Sequence, residues 1–111
     1  MKRYCFALDL VDDPVLIEEY QNYHKNIWNE ITASIKEAGI SDMEIYRIDN
    51  RLFMIMETED DFSFDKKNAM DSVNPKVQEW EQLMWKYQQA LPTAKEGEKW
   101  ILMDRIFKLN Q

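Results

Sequence analysis

Residues 3–10 read Arg3-Tyr4-Cys5-Phe6-Ala7-Leu8-Asp9-Leu10, and Asp12-Asp13-Pro14 follow after a single valine. Every second residue from Tyr4 to Leu10 is apolar, and this period of two predicts a strand with one face directed inward. Asp12-Asp13-Pro14 predicts a helix start, because aspartate caps free N–H groups and proline fits the first helical position. We therefore expect a strand that passes directly into a helix.

A single long helix is predicted over residues 14–38. Apolar residues recur along it at intervals of three or four: Leu16, Tyr20, Tyr23, Ile27, Ile31, Ile35 and Ala38. This spacing places them on one face, which is expected to cover one side of a sheet. Gly39 is suited to end the helix in the left-handed conformation.

Five further elements are predicted after this helix. They are strands over residues 43–49 and 52–59 joined by the turn Asn50-Arg51, a short helix near residues 62–70, a helix from Asn74-Pro75 to about residue 90, and a strand over residues 100–109. The order matches the ferredoxin-like split βαβ arrangement. The sequence thus predicts an α+β fold with a four-stranded antiparallel sheet, in one domain spanning residues 1–111.

Both helical regions of such a fold cover the same face of the sheet, so the other face must be covered by something else. The predicted strand at residues 52–59 contains the run Leu52-Phe53-Met54-Ile55-Met56, which is apolar on both faces. Strands of this kind are buried on two sides. A homodimer in which two sheets meet face to face is therefore expected.

The composition limits the partners and the location of the protein. A formal net charge of −7 over 111 residues argues against nucleic acid and anionic membranes, which bind Lys and Arg. No run approaches the roughly 20 apolar residues of a membrane span. Cys5 is the only cysteine, so neither an internal disulfide nor a cysteine and histidine cluster for zinc is expected. A cytoplasmic protein without metal is predicted.

Tyr20, His24 and Trp28 follow one another at intervals of four residues in the predicted first helix. Each advances only about 40° around the axis, so the three are expected to share one stripe. His24, the only histidine, could exchange a proton near neutral pH beside a phenol and the flat apolar wall of Trp28. The alternative is a core histidine satisfied by backbone and water, because aromatic stripes usually serve packing.

A second aromatic group is predicted on the late helix. Trp80 and Met84 share one face, and Glu81 and Trp85 form the neighbouring stripe. Aromatic surfaces commonly line small-molecule pockets, so these tryptophans are expected to contact a sugar or another small ring. The alternative is that Trp80 belongs to the core.

The segment Glu19-Tyr20-Gln21-Asn22-Tyr23-His24-Lys25-Asn26-Ile27-Trp28 resembles the Glu-Tyr-x-x-x-His-x-x-Ile-Trp pattern of the L-rhamnose mutarotase family. The order of elements and the chain length also fit, so the resemblance covers nearly the whole chain. It implies a dimeric α+β barrel. It also implies an isomerase that interconverts the α and β anomers of a 6-deoxyhexose, L-rhamnose or L-fucose, without cofactor or metal.

The resemblance further implies roles for individual residues. His24 matches the catalytic acid/base, Tyr20 a tyrosine that contacts the substrate, and Trp80 the first member of a tandem tryptophan pair. The sequence departs from the family at two positions. Glu81 replaces the second tryptophan, and Met43 aligns with a tyrosine that contacts the sugar. These departures bear on which sugar is bound.

The implied reaction needs one acid and one base. Mutarotation protonates the ring oxygen and deprotonates the anomeric hydroxyl, which gives an open-chain aldehyde that recloses on its other face. In this hypothesis His24 donates or accepts a proton at the anomeric centre, and Tyr20 completes the relay or orients the sugar. Trp80 is expected to contact the apolar face of the sugar and Glu81 its hydroxyls.

Two other functions remain open on the sequence. One is a cofactor-free monooxygenase or a haem-handling protein on the same fold, with His24 as base or ligand. The other is a non-enzymatic dimeric binding module in which His24 is structural.

Overall fold

The computed structural model describes residues 1–110 of the chain. Its elements in chain order are β1 (Lys2–Leu10), α1 (Pro14–Lys25), α2 (Asn29–Glu37), β2 (Ile40–Ile48), β3 (Arg51–Thr58), α3 (Phe64–Ser72), α4 (Pro75–Trp85), β4 (Gln88–Gln89) and β5 (Ile101–Leu102). The strands form one antiparallel sheet in the order β2-β3-β1-β4, and β5 also pairs with β1. The predicted α+β, ferredoxin-like arrangement is confirmed, with five strands in the described residues rather than four.

The two faces of the sheet differ because side chains alternate along each strand. In β3, Leu52, Met54 and Met56 are buried under the helices, whereas Phe53 and Ile55 point to the opposite face and are only half-buried. The same difference between the two faces continues into β1, because Tyr4 pairs with Met56 and Phe6 pairs with Met54. The apolar character of β3 on both faces is as predicted from the sequence.

The core on the helix side consists of two clusters. One is built around the buried residues Leu10, Tyr20, Ile31, Leu52, Val77, Trp80, Met84 and Tyr87. The other contains Phe6, Ile40, Met54, Met56 and Phe62. Half-buried Ile35 and Trp100 pack against both clusters, so the two are continuous.

The predicted helix ends carry the expected caps. The Asp13 side chain accepts hydrogen bonds from the backbone N–H groups of Val15 and Leu16, which start α1. Asn74 caps α4 in the same way before Pro75. Gly39 follows α2 with a φ of +93°, the left-handed region that favours glycine.

The single helix predicted over residues 14–38 is wrong, because the chain leaves the helical conformation between α1 and α2. Asn26 has φ −138° and Trp28 has ψ 137°, which no α-helix accommodates. The break lets the Trp28 ring pack edge-on against Trp80, with centroids 5.1 Å apart. Tertiary packing of this tryptophan therefore overrides the regular apolar spacing, and Trp28 does not continue the helical stripe of Tyr20 and His24.

Other boundaries also differ from the sequence prediction: β2 begins at Ile40 rather than Met43, and α3 spans Phe64–Ser72 rather than residues 62–70. The hairpin turn is formed by Asp49 and Asn50, one residue earlier than predicted, with Asp49 at φ 49°. The helix α4 ends at Trp85 rather than near residue 90, because Gln88 pairs with Leu10 as part of β4. The last strand is limited to β5: the Met103 N–H still donates to the Cys5 carbonyl of β1, but residues 104–110 have no strand pairing within the described chain.

Candidate active site

A cavity of about 560 Å³ lies between the helices and the sheet face that they cover. Five of the six site residues predicted from the sequence line it: Tyr20, His24, Met43, Trp80 and Glu81. A larger groove of about 910 Å³ lies between α1 and the β2–β3 turn, but its lining is polar, mostly exposed and contains none of these residues. The cavity at His24 is therefore the candidate active site.

His24 and Tyr20 lie one turn apart on α1, and their ring centroids are 4.4 Å apart. His24 Nδ1 lies 2.8 Å from the backbone carbonyl oxygen of Tyr20. A carbonyl oxygen only accepts, so Nδ1 carries a proton and donates it, and in the neutral ring Nε2 carries the lone pair. The core-histidine alternative predicted such a backbone bond, but the bond occupies only one nitrogen of a ring that lines the cavity.

Burial moves the pKa values of these two side chains in opposite directions. Desolvation lowers the pKa of His24 below its usual 6.5, and the hydrogen bond to the Tyr20 carbonyl opposes this only in part. Desolvation raises the pKa of the Tyr20 phenol above 10.0, against a smaller opposite effect of its hydrogen bond with Gln88. At neutral pH the site thus holds a neutral imidazole, which can accept a proton, beside a protonated phenol, which can donate one.

Gln88 is a cavity residue that the sequence analysis missed. Its Nε2 donates a hydrogen bond to the Tyr20 hydroxyl over 3.3 Å, and the side chain is buried. The sequence places Gln88 in a polar pair at the end of a predicted helix, which carries no signal of a site. Only the pairing of Gln88 with Leu10 in the sheet brings it next to α1.

Trp80 forms one wall of the cavity and is itself in contact with the His24 ring, at a centroid distance of 5.7 Å. Trp28 packs on Trp80 but is not among the side chains that line the cavity. The structure therefore brings Tyr20, His24 and Trp80 together. It places Trp28 behind Trp80, where it buttresses that wall.

Met43 and Glu81 reach the cavity from β2 and from α4, and both are half-buried. Lys99, from the loop before β5, donates a hydrogen bond to the backbone carbonyl of Glu81 over 3.0 Å and lies 4.7 Å from the Trp85 ring centroid. Desolvation lowers the pKa of Lys99, and the charge of Glu81 opposes this shift. Glu81, which replaces the second tryptophan of the family pattern, therefore lies near the cation Lys99 at the same edge of the cavity.

A further ion pair on α3, between Lys67 and the buried Asp71, also lines the cavity. The four-residue spacing that joins them is visible in the sequence, but such pairs usually lie on solvated helix faces. Their position at the cavity follows from how α3 packs on α4, since the Gln78 side chain of α4 bonds to the Asp71 carbonyl. Polar side chains are thus placed at several points around the apolar part of the cavity lining.

Comparison with known proteins decides the family. The model of the L-rhamnose mutarotase family matches residues 3–109. The chain belongs to the L-rhamnose mutarotase family. A protein named L-fucose mutarotase, from Xanthomonas campestris pv. campestris, is 43% identical to this family member over all of the chain and 90% of the relative. An L-rhamnose mutarotase of Shigella flexneri serotype 5b is 35% identical over 78% of the chain and 76% of the relative.

Solved structures confirm the fold of this mutarotase family member. L-rhamnose mutarotase from Formosa agariphila superposes with a TM-score of 0.73 at 20% identity, covering 98% of the chain and 99% of the other protein. Tetracenomycin F2 cyclase from Streptomyces glaucescens superposes with a TM-score of 0.68 at 15% identity, covering 97% and 98%. The same fold thus occurs in proteins with different names, and the site residues have to decide the chemistry.

Two features are absent from residues 1–110. No helix there has the length and apolar character needed to cross a membrane. In the same residues, no three histidine, cysteine, aspartate or glutamate side chains are grouped so that they could hold a metal ion.

Proposed function

We propose that this protein is an isomerase that interconverts the α and β anomers of a 6-deoxyhexose, L-rhamnose or L-fucose. The observation that carries the proposal is the contact between His24 and Tyr20 at the wall of the cavity, in a chain whose relatives are named L-fucose and L-rhamnose mutarotase. A neutral monosaccharide also agrees with a protein of net charge −7, which needs no basic patch to attract it.

His24 acts as the base in the proposed mechanism. Its Nε2 takes the proton of the anomeric hydroxyl, because Nδ1 is already protonated and bonded to the Tyr20 carbonyl. Tyr20 acts as the acid, because its phenol keeps its proton at neutral pH and can deliver it to the ring oxygen. The bond between C1 and the ring oxygen breaks as C1 becomes an aldehyde carbon.

Ring closure then runs the same steps in reverse. Rotation about the C1–C2 bond presents the other face of the aldehyde, and the ring oxygen attacks C1 while Tyr20 recovers its proton. The protonated His24 returns its proton to the former carbonyl oxygen, which becomes the anomeric hydroxyl of the other anomer. No atom or electron is gained or lost, and both side chains end in their starting states.

The remaining cavity residues bind the sugar rather than transfer protons. The Trp80 ring packs against the C–H side or the C6 methyl group, and Met43 extends this apolar surface. Glu81 accepts hydrogen bonds from ring hydroxyls. The uncatalysed reaction is already measurable, so acid/base catalysis of about 10²- to 10⁴-fold, aided by positioning, is sufficient.

Saturation-transfer NMR on equilibrated L-rhamnose and L-fucose tests this function directly. We expect the protein to raise the rate of anomer exchange above that of buffer for at least one sugar. His24→Gln is expected to remove about 10²- to 10⁴-fold of the catalysed rate. Lys25→Gln, on the exposed side of the same helix turn, is the matched control. Absence of exchange with both sugars would contradict the proposal.

We also infer that the protein is a homodimer. The sheet face opposite the helices presents Phe53 and Ile55 together with Tyr46 and Ile48, of which the last two are 53% and 72% exposed. The segment after β5 adds Ile106, Phe107 and Leu109, all strongly exposed. Apolar surface on this scale favours association. A second copy of the chain is the occupant expected for a dimeric α+β barrel.

We infer a cytoplasmic location from the single cysteine, since a reducing compartment needs no disulfide.

A haem-handling function predicts a Soret shift on titration with haemin, and absence of this shift would count against that alternative. Binding of a deoxysugar without exchange would favour the non-enzymatic module.

A further inference from the structure

Gln88 stands out in the cavity because half of its carboxamide has no partner. The residue is 7% exposed, and its Oε1 is the one buried side-chain oxygen or nitrogen within residues 1–110 that makes no hydrogen bond. Burying an amide oxygen without a hydrogen-bond partner costs free energy, and native proteins rarely contain such an atom. Gln88 is one of the residues that line the cavity, so a hydroxyl of a ligand bound there is a candidate partner for this oxygen.

The other half of the carboxamide is engaged in the proton-transfer pair. Nε2 donates to the Tyr20 hydroxyl over 3.3 Å, so the phenol oxygen already accepts one hydrogen bond and its own proton is directed elsewhere. Gln88 thus holds the Tyr20 hydroxyl with Nε2, while Oε1 is left without a partner.

The position of Tyr20 indicates which part of a sugar Gln88 can reach. In the proposed function, on which this inference rests, the Tyr20 hydroxyl meets the ring oxygen and His24 meets the anomeric hydroxyl. The group next to Tyr20 then faces the substituents that flank this part of the ring. A 6-deoxyhexose has no hydroxyl at C6, so the hydroxyls at C2 and C4 are the ones within range.

We propose that the free carboxamide atom of Gln88 forms a hydrogen bond with the hydroxyl at C2 or C4 of the sugar, and that Gln88 thereby selects between 6-deoxyhexoses. L-rhamnose and L-fucose have opposite configurations at these two carbons and the same configuration at C3. A fixed, buried hydrogen-bonding atom fits one orientation of the hydroxyl and is left unpaired by the other. Sites of this kind discriminate strongly against the sugar that cannot pair.

The test compares the wild-type and variant proteins on substrates that lack one hydroxyl. Catalysed anomer exchange is measured for L-rhamnose and L-fucose, and for the 2-deoxy and 4-deoxy derivatives of the preferred sugar. With the wild-type protein, loss of one of the two hydroxyls is expected to lower kcat/KM by at least about tenfold, the equivalent of one buried hydrogen bond. In Gln88→Met, removal of that hydroxyl from the sugar is expected to leave kcat/KM almost unchanged. The preference of this variant between L-rhamnose and L-fucose is expected to be smaller than that of the wild type.

Gln89→Met provides the matched control. Gln89 is the other residue of β4 and is exposed, and this variant is expected to keep the wild-type pattern. Gln88→Asn keeps the carboxamide but withdraws it by one methylene, and it is expected to show the same loss of coupling if the methionine variant does not fold.

Several results would overturn the proposal. One is a wild-type protein that tolerates removal of either hydroxyl, which requires no variant at all. Another is a Gln88 variant that slows every sugar by the same factor, as a purely structural role would. Absence of exchange with both natural sugars, by contrast, would refute the mutarotase function itself, so the two failures are distinguishable.

Discussion

The Nδ1 atom of His24 donates its hydrogen bond to the backbone carbonyl of Tyr20, 2.8 Å away, within the same turn of α1. This contact fixes the tautomer of the imidazole, so that Nε2 is the basic nitrogen. The same turn places the phenol of Tyr20 next to the imidazole, with the rings tilted by 37° and a centroid distance of 4.4 Å. One turn of α1 thus carries both the base and the acid, and its backbone orients the imidazole, whereas the Tyr20 hydroxyl is bonded to Gln88.

Acid is expected to switch the activity off with a midpoint below pH 6.5. His24 must be neutral to accept a proton, and burial lowers its pKa in the folded protein. The catalysed kcat/KM therefore remains high as the pH falls through 6.5 and declines only below it. A midpoint at or above 6.5, measured by anomer exchange above the buffer rate, would contradict the role of the buried imidazole.

The same shift makes stability depend on pH. The unfolded chain protonates His24 near pH 6.5, whereas the folded chain does so only at lower pH. Stability from this group is present above pH 6.5 and is lost as the pH falls toward the folded pKa. Urea unfolding of the wild type and of His24→Gln should therefore differ in pH dependence within that window. Parallel curves for the two proteins would show that His24 is not desolvated.

Tyr20→Phe is expected to lower the catalysed exchange rate by about 10²-fold or more, because the variant keeps the ring but loses the proton donor. It also leaves Nε2 of Gln88 unpaired, so the free energy of unfolding should fall by about 1–3 kcal/mol. Tyr23→Phe is the matched control, because Tyr23 lies on the same helix and is not among the residues lining the cavity. Equal activity losses in the two variants would argue against Tyr20 as the acid.

Substitutions of Trp80 and of Trp28 are expected to differ in their effects on sugar binding. Trp80→Phe removes part of the cavity wall and should raise KM for the sugar several-fold. Trp28→Phe should lower stability by about 1–3 kcal/mol through lost packing, with a smaller effect on KM, because Trp28 lies behind Trp80. Exchange kinetics and thermal unfolding measure the two effects. A larger KM effect from Trp28 would return it to the sugar-binding surface.

Light scattering tests the homodimer. The wild-type protein is expected at twice the 13.4 kDa mass of one chain. Ile55→Glu places a charge in the centre of the open sheet face and should shift the mass toward one chain, because burying an unpaired charge is unfavourable. Glu30→Lys, on an exposed position of α2, is the control for a charge change elsewhere. A wild-type monomer at micromolar concentration would contradict the dimer.

Local sequence signals were sufficient for the parts of the fold that depend on local physics. Asp13-Pro14 and Asn74-Pro75 start helices because their caps are formed by neighbouring residues. Alternation along β1 and β3 reflects which face each side chain must take. The break between α1 and α2 was missed because the apolar spacing runs through it, and only Trp80, more than 50 positions later in the chain, makes a bent path favourable for Trp28.

The candidate site shows the same division. The sequence by itself determined that any imidazole chemistry must use His24, and that Tyr20 lies one helical turn away from it, because both facts depend only on composition and helix geometry. Only the tertiary structure decided which groups surround this pair. Gln88, Lys99 and the Lys67–Asp71 pair reach the cavity through strand pairing and helix packing between distant segments. Such contacts leave no local periodicity for a sequence pattern to record.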